Sequence, residues 1–155
     1  MQSLLNIYEY YVDNIDVRVN YGYKESELKT GHINVDFDIK QNKERPLDFM
    51  ISMLIELNKS DAAFASGEYR ILLNVSGYFS FLEGTSEETV HKMIAPSGLS
   101  ILYGIARGVV AQVTGNCKYG KYILPSLNFI EIIKKKYDKS VKDKTLLTRK
   151  KKKAA

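Results

Sequence analysis

The sequence contains a single cysteine, Cys117, two histidines and no tryptophan. One cysteine excludes an intramolecular disulfide framework and is typical of a protein in a reducing compartment. His32 and His91 lie far from each other and from Cys117 in the sequence, so the chain has no ligand spacing typical of a zinc site. A nucleophilic pair of Cys117 and His91 has no assisting motif around it. We therefore expect no bound metal, no cofactor and no enzymatic activity.

Glycine-rich phosphate loops and long apolar runs are also missing. No segment matches a P-loop or a dinucleotide-binding fingerprint, and GNCKYGKY at residues 115–122 follows a predicted helix instead of a strand. No apolar run approaches the roughly 18 residues of a membrane span. The first residues, MQSLLNIYEYYVDN, lack the basic start and the long apolar run of a signal peptide. These absences favour a soluble, cytoplasmic protein.

The net charge of +5 is distributed unevenly along the chain. Residues 1–133 contain 12 basic and 16 acidic side chains, whereas residues 134–155 contain 11 basic and 2 acidic ones. The body of the protein is therefore mildly acidic, and the basic character belongs to the C-terminal segment. A high overall isoelectric point is consequently no argument for a nucleic-acid-binding fold.

Alternating apolar and polar residues predict four strands in the first half of the sequence. In HINVDFDIK, residues 32–40, every second side chain is apolar. Residues 7–20, 47–57 and 69–82 repeat the pattern, and the segment 47–57 is apolar on both faces, which is typical of a central strand. The short polar connections favour an antiparallel, meander-like sheet. Gly77 is expected at a bend or bulge.

The second half changes to helical spacing. A capping box, TSEE from Thr85, opens a short helix that Pro96 is expected to end. Apolar residues then recur every three or four positions from Leu99 to Thr114, which predicts an amphipathic helix. Pro125-Ser126 are expected to begin a last helix, and from about Lys139 the lysine-rich chain is predicted to be disordered. Strands followed by helices predict an α+β domain with the helices on one side of the sheet.

The helix before the loop has a face of small residues. Gly104, Gly108, Ala106 and Ala111 recur along it, and each interior glycine costs about 1 kcal/mol relative to alanine. Close packing of another backbone, in the same or a sister subunit, would offset that cost. A bulky core side chain lying over the glycines would explain them equally well, and the sequence leaves both interpretations open.

The predicted sheet also has more apolar surface than three modest helices can cover. A second apolar sheet face is commonly buried in an oligomer or in a ligand groove. Tyrosines that are merely half exposed on strands are the alternative. The tyrosines on or beside the predicted strands are Tyr8, Tyr10, Tyr11, Tyr21, Tyr23 and Tyr78.

The order of elements and several local motifs resemble the SecB family, bacterial export chaperones that hold preproteins unfolded. The resemblance covers residues 7–137. It is most specific in GYFSFLEG at 77–84 and in SILYGIARGVVAQVTGNCKYGKYILPSLNF at 100–129, with its Ala-Arg pair, glycine-containing loop and Leu-x-Pro-x-x-Asn-Phe ending. NIYEYYVDNIDVRVN at 6–20 resembles the first strand of the family.

The resemblance implies a SecB-like chaperone domain at residues 1–138, followed by a basic tail at 139–155. It implies a dimer of dimers that binds unfolded polypeptides in apolar grooves without ATP or cofactor, with the long helix in the tetramer interface. The groove candidates are Tyr21, Tyr23, Met50, Leu54, Tyr78, Ile130 and Ile133. The interface candidates are Leu102, Gly104, Ile105, Gly108 and Ala111.

Two features depart from the family pattern. Asn14 and Arg18 occupy first-strand positions where members that serve the SecA motor carry acidic residues, and the tail is basic. The resemblance implies SecA as a partner, whereas these replaced positions argue against docking to SecA by that route. The family also includes chaperones beside toxin–antitoxin pairs, so an adaptor for a single partner such as an antitoxin is the alternative. The tail is either a solubilising end or a contact to ribosome, RNA, anionic lipid or acidic clients.

Overall fold

The computed structural model describes residues 1–25 and 31–154, and it confirms an α+β fold with a four-stranded antiparallel sheet. Part of the predicted connector at 22–31, residues 26–30, lies outside the described residues. The strands are β1 (Leu5–Val19), β2 (Ile33–Gln41), β3 (Asp48–Leu57) and β4 (Tyr69–Phe81). The helices are α1 (Asp61–Ala65), α2 (Glu87–Thr114) and α3 (Phe129–Lys153).

The strand order is β1-β4-β3-β2, so the predicted meander is wrong. The strands β2, β3 and β4 do follow one another as antiparallel neighbours, but β1 pairs with β4. Between Val19 and Ile33 the chain therefore passes from one edge of the sheet to the other. Period-two patterns show which side chains share a face and not which strands are neighbours, and for this reason the sequence could not give the order.

One face of the sheet forms the core. Side chains on β3 and β4 alternate strictly between buried and half-buried positions, as their sequences predict. The buried set comprises Phe49, Ile51, Met53, Ile55 and Leu57 on β3 and Tyr69, Ile71, Leu73, Val75, Phe79 and Phe81 on β4. The helix α2 packs on this face against β1, β3 and β4.

Gly77 lies in a regular part of β4, and the sheet irregularities are on its neighbour β1 instead. The register of β1 shifts between Ile7 and Glu9 and again between Val12 and Asn14. A Cβ on Gly77 would lie 2.8 Å from the Cε2 atom of Phe79, 3.1 Å from the Cδ1 atom of Leu102 on α2 and 3.2 Å from the Cδ1 atom of Ile7. Glycine is therefore needed here because side chains of β4, α2 and β1 fill the space beside its backbone.

The helix α2 continues through Pro96, so the predicted break is wrong. Proline removes one backbone donor, but its fixed φ is compatible with a helix, and packing against the sheet stabilises the remaining turns. The helix begins one residue later in the capping box than predicted. Ser86 is the N-cap and accepts a hydrogen bond from the N–H of Thr89, whereas the hydroxyl of Thr85 donates to the carbonyl of Leu82. The predicted end is confirmed, with Gly115 as the C-cap.

The length and composition of α2 also meet the criteria for a membrane span. Core helices of soluble proteins meet the same criteria when one face is buried. The apolar residues Leu99, Leu102, Ala106 and Val110 are fully buried on the side that faces the sheet. We therefore interpret α2 as the core helix of this domain.

The chain divides into two compact units, Met1–Pro125 and Ser126–Ala155. The second unit consists mainly of α3, whose N-cap is Asn128 and not the predicted Pro125-Ser126 pair. The disorder predicted from about Lys139 also differs from the structure, because α3 continues to Lys153. No glycine or proline interrupts residues 129–153, most of them are good helix formers, and Lys150–Lys153 in the last turn complement the helix dipole.

Candidate functional site

The predicted groove residues of the first unit lie on two surfaces, and the other two lie on α3. Tyr21 and Tyr23 follow the end of β1, whereas Met50, Leu54 and Tyr78 project from the face of the sheet opposite α2, which we call the open face. Ile130 is exposed and Ile133 half-buried on α3, in the second unit. Within the first unit, the structure brings together Met50 and Tyr78, which are cross-strand partners of β3 and β4, and it leaves Tyr21 and Tyr23 two positions apart after β1.

Tyr23 belongs to a cluster of four tyrosines that we call the aromatic corner: Tyr23, Tyr69, Tyr119 and Tyr122. The ring of Tyr119 lies 5.3 Å from that of Tyr23 and 6.0 Å from that of Tyr69, and Tyr69 lies 6.2 Å from Tyr122. All three contacts are edge-to-face, the arrangement that the ring quadrupole favours. The ammonium group of Lys118 lies 5.0 Å from the ring centre of Tyr21, which places Tyr21 beside the corner.

A cavity of about 280 Å³ opens at the aromatic corner. Its wall combines the rings of Tyr23, Tyr119 and Tyr122 and the side chain of Ile123 with several polar side chains, which are Asn58, Ser66, Glu68 and Lys121. A Cβ on Gly31, which also lines the cavity, would lie 2.8 Å from the hydroxyl oxygen of Tyr122. Such a wall can contact both the apolar and the polar parts of a bound polypeptide segment.

Hydrogen bonds fix the loop between α2 and α3 over the end of the sheet. The hydroxyl of Tyr69 donates to the carbonyl of Gly120 at 2.8 Å and accepts from the N–H of Tyr119 at 3.0 Å. The hydroxyl of Tyr119 donates to the carbonyl of Asn20 at 2.6 Å, and that of Thr114 accepts from the N–H of Tyr122 at 2.8 Å. These hydrogen bonds fix the backbone of residues 119–122, which form part of the cavity wall.

Asn58 supports the opposite wall of the cavity. It is buried, has a φ of 51°, and its side-chain amide donates to the carbonyl of Tyr69 and accepts from the N–H of His32. Asparagine tolerates the left-handed conformation better than most residues. Through these hydrogen bonds the side chain of Asn58, at the end of β3, links the residue before β2 to the start of β4, beside the aromatic corner.

The loop is also fixed to α2 at its far end. The hydroxyl of Tyr103 donates to the carbonyl of Pro125 at 2.6 Å, and Nε of Arg107 donates to the carbonyl of Leu124 at 2.9 Å. Burial raises the pKa of Tyr103 to about 12, although the charge of Arg107 acts in the opposite direction. Burial also raises the pKa of Tyr122 and of Tyr69.

These pKa shifts predict a loss of stability in alkali. Above the unfolded pKa of about 10, the unfolded chain loses the Tyr103 proton while the folded chain keeps it, so the free energy of unfolding falls as pH rises. From Tyr103 alone the fall amounts to about 2–3 kcal/mol between roughly pH 10 and 12. Urea unfolding of the wild type and of Tyr103→Phe across this pH range measures the fall in the free energy of unfolding. The variant should be less stable at pH 8 by about 1 kcal/mol but show a shallower decline, and parallel declines would contradict the assignment.

The open face carries a second, shallower depression of about 340 Å³. Asp13, Asp36 and Asp38 line it together with Ser52 and Leu54, and the hydroxyl of Ser76 donates to Asp13 at 2.6 Å. At the β1 edge, the rings of Tyr8 and Tyr11 lie 6.2 and 6.1 Å from that of Tyr78. Among the described residues, no three His, Cys, Asp or Glu side chains are grouped closely enough to hold a metal ion.

The two positions where the family carries acids lie on β1. Asn14 is paired with Asn74 in the sheet, and Nε of Arg18 lies 3.5 Å from Asp16 in an exposed ion pair. Exposed pairs of this kind contribute little to stability. The open face therefore combines acidic and apolar side chains, with a cation at one of the two expected acidic positions.

The predicted interface residues of α2 divide between its two sides. Leu102 is fully buried against the sheet and belongs to the core of the protomer. Gly104 and Gly108 are exposed, and a Cβ on either would meet no described atom of the chain within 4 Å. Among the described residues, no bulky core side chain therefore lies over either glycine. Ile105 and Ala111 are half-buried on the same helix.

The fold is similar to that of a solved structure from Mycobacterium tuberculosis, the Rv1957 SecB-like chaperone in complex with a ChAD peptide from the Rv1956 HigA1 antitoxin. That match has 17% sequence identity and a TM-score of 0.60, and it covers 80% of this chain and 91% of the other. A protein of unknown function from Streptococcus agalactiae aligns with 14% identity and a TM-score of 0.42, over 79% and 97% of the two chains.

Among curated proteins, the uncharacterized protein MJ0357 of Methanocaldococcus jannaschii is 24% identical over 124 residues, which are 80% of this chain and 79% of the relative. No protein-family model matches the sequence. The match to the Mycobacterium structure shows a SecB-like fold and confirms the resemblance inferred from the sequence motifs. The aromatic corner lies in this fold, but sequence reasoning did not select Tyr69, Tyr119 and Tyr122. Their separation by up to 53 positions left no local signal, apart from the tyrosine-rich loop sequence.

Proposed function

We propose that this protein is an ATP-independent chaperone that binds unfolded polypeptide segments at the aromatic corner. The observation that carries the proposal is the cavity of about 280 Å³ lined by Tyr23, Tyr119 and Tyr122, in which the hydroxyl of Tyr119 is fixed by its hydrogen bond to the carbonyl of Asn20. Aromatic rings accept varied side chains without demanding one sequence. The SecB-like fold supports the same role, since a solved chaperone of this fold carries a bound peptide.

A homotetramer, a dimer of dimers, belongs to this proposal. The exposed glycines Gly104 and Gly108 would let a second copy of α2 approach closely, which would offset the cost of glycine in an exposed helix interior. The open face supplies further apolar surface at Met50, Leu54 and Tyr78 for a long client. Export of preproteins and residence in the cytoplasm are parts of the same proposal.

The decisive experiment is suppression of aggregation. The purified full chain should keep a chemically unfolded client protein soluble, as followed by light scattering, in the absence of ATP. Static light scattering of the chaperone alone should give four times the chain mass of 17.7 kDa. A monomer at micromolar concentration that leaves client aggregation unchanged would contradict the proposal.

The second candidate is an adaptor for a single partner, such as an antitoxin. It is favoured by the peptide in the Mycobacterium structure, which comes from an antitoxin. Capture from a native lysate separates the two functions by composition. Many substoichiometric, unfolded proteins support the general chaperone, whereas one folded or unfolded protein at a constant molar ratio supports the adaptor.

A further inference from the structure

The last three turns of α3, residues 142–153, carry many positive charges, and none of these residues belongs to the proposed client site. Residues 142–153 contain seven lysines and arginines and one aspartate, and the run Arg149–Lys153 is uninterrupted. Every residue from 142 to 153 is exposed. One or two cations are enough to complement a helix C-terminus, because the dipole acts only within the last turn. The remaining charge requires another explanation.

Two leucines lie within this basic segment. Leu146 is 56% exposed and Leu147 is 61% exposed. Side chains four residues apart share a face of a helix, so Lys150 and Lys151 lie one turn beyond the leucine pair. Lysine stems can lie along an apolar surface while their ammonium groups reach outward. The segment thus places an apolar pair and a ring of cations at the same end of one helix.

We propose that residues 142–153 bind the surface of an anionic lipid bilayer. Leu146 and Leu147 would enter the boundary between headgroups and acyl chains, while Lys150, Lys151 and their neighbours contact the headgroup phosphates and carboxylates. Clusters of four to eight lysines or arginines on an amphipathic helix are typical of such surfaces. The helix lies on the membrane and does not cross it.

The composition of the segment favours lipid over nucleic acid. A protein that binds single strands uses aromatic rings for base stacking, and residues 138–155 contain no aromatic residue. Arginine is the residue that recognises phosphate in a bidentate manner, but Arg149 is the one arginine among the seven cations. Exposed leucines add nothing to a phosphate contact, whereas they contribute directly to binding at a bilayer.

Sedimentation of the full chain with vesicles tests the proposal. Vesicles of equal parts phosphatidylcholine and phosphatidylserine should bind the protein, and pure phosphatidylcholine should not. Since each lysine near an anionic surface contributes about fivefold in affinity, Lys150→Glu with Lys152→Glu should weaken binding by at least about thirtyfold. Lys40→Glu with Lys43→Glu, at exposed lysines on and after β2, is the matched control and should bind normally.

A second variant distinguishes insertion of the leucines into the bilayer from charge attraction alone. Leu146→Ser with Leu147→Ser keeps every charge and should reduce vesicle affinity by at least about a hundredfold, because the two leucines no longer enter the boundary of the bilayer. An unchanged affinity of this variant would overturn the proposal. Suppression of client aggregation should be the same in both variants as in wild type, so failure here is distinguishable from failure of the proposed function.

Two further results would also overturn the proposal. A uridine-rich RNA of equal phosphate concentration that displaces the protein from the vesicles, with an affinity independent of Leu146 and Leu147, would assign the segment to nucleic acid. A change of oligomeric mass in the lysine-to-glutamate variant, without vesicle binding by the wild type, would assign it to the acidic body of a second copy. Binding that requires anionic lipid, the lysines and the leucines supports the membrane-surface contact.

Discussion

Exchange of Gly98 for valine is expected to lower the free energy of unfolding by about 3 kcal/mol, because the residue lies between α2 and the sheet. A Cβ at this position would lie 2.5 Å from the Cδ1 atom of Ile51, which is fully buried on β3. The two γ-methyl groups of valine would add to that overlap. Urea denaturation followed by circular dichroism measures the change.

Gly104, six residues further along the same helix, provides the matched control. At Gly104 a Cβ would meet no atom within 4 Å in the described part of the chain, and the residue is exposed, so Gly104→Val should leave the stability of the protomer unchanged or slightly higher. Repeating the denaturation at two protein concentrations separates protomer stability from assembly, since a loss that depends on concentration reports a subunit contact at Gly104. Equal losses from Gly98→Val and Gly104→Val at both concentrations would contradict the packing described for Gly98.

A second variant identifies the overlapping atom. Ile51→Val removes the Cδ1 methyl and should cost about 1 kcal/mol alone. Combined with Gly98→Val it should cost less than the sum of the two single changes, because the space vacated on β3 accommodates the new side chain. If the two losses of stability simply add, the overlap that destabilises Gly98→Val does not involve the Cδ1 methyl of Ile51.

Replacing Tyr21 and Tyr23 together by serine is expected to weaken the binding of an unfolded client by about thirtyfold. Each aromatic side chain at such a site contributes about 1 kcal/mol, and 1.4 kcal/mol corresponds to a factor of ten. Both side chains lie outside the core, Tyr21 being 76% exposed, so the fold should persist. Fluorescence anisotropy of a labelled, permanently unfolded client gives the dissociation constants.

The open face supplies the matched control for this experiment. Met50→Ser with Leu54→Ser removes a similar apolar area from half-buried positions on β3. If the aromatic corner is the principal client site, this pair should weaken binding several-fold less than the tyrosine pair. If the Met50 and Leu54 pair weakens client binding more than the tyrosine pair does, the principal client site is the open face. If both pairs weaken binding equally, one long client contacts both surfaces.

The periodicity of the sequence predicted most of the secondary structure because each pattern is local. Alternation over 47–57 and 69–82 gave β3 and β4 within two residues, and the three-four spacing with the Gly115 stop gave the end of α2. The errors arose where a local rule was outweighed by packing. Pro96 lies inside α2 because tertiary contacts stabilise the helix on both sides of it, and Gly77 leaves room for the side chains of Phe79 and Leu102.

By itself, then, the sequence determined the four strands, the faces they bury, the part of α2 from Leu99 to Thr114 and the charge division between the body and the basic segment. The strand order, the exposed position of Gly104 and Gly108, and the meeting of Tyr23, Tyr69, Tyr119 and Tyr122 were decided by tertiary structure. The physical reason is that hydrophobic periodicity specifies which face of an element is buried but not its neighbour. Gly98 over Ile51 and Leu102 over Gly77 show how that choice is made, by small residues opposite large ones across the same interface.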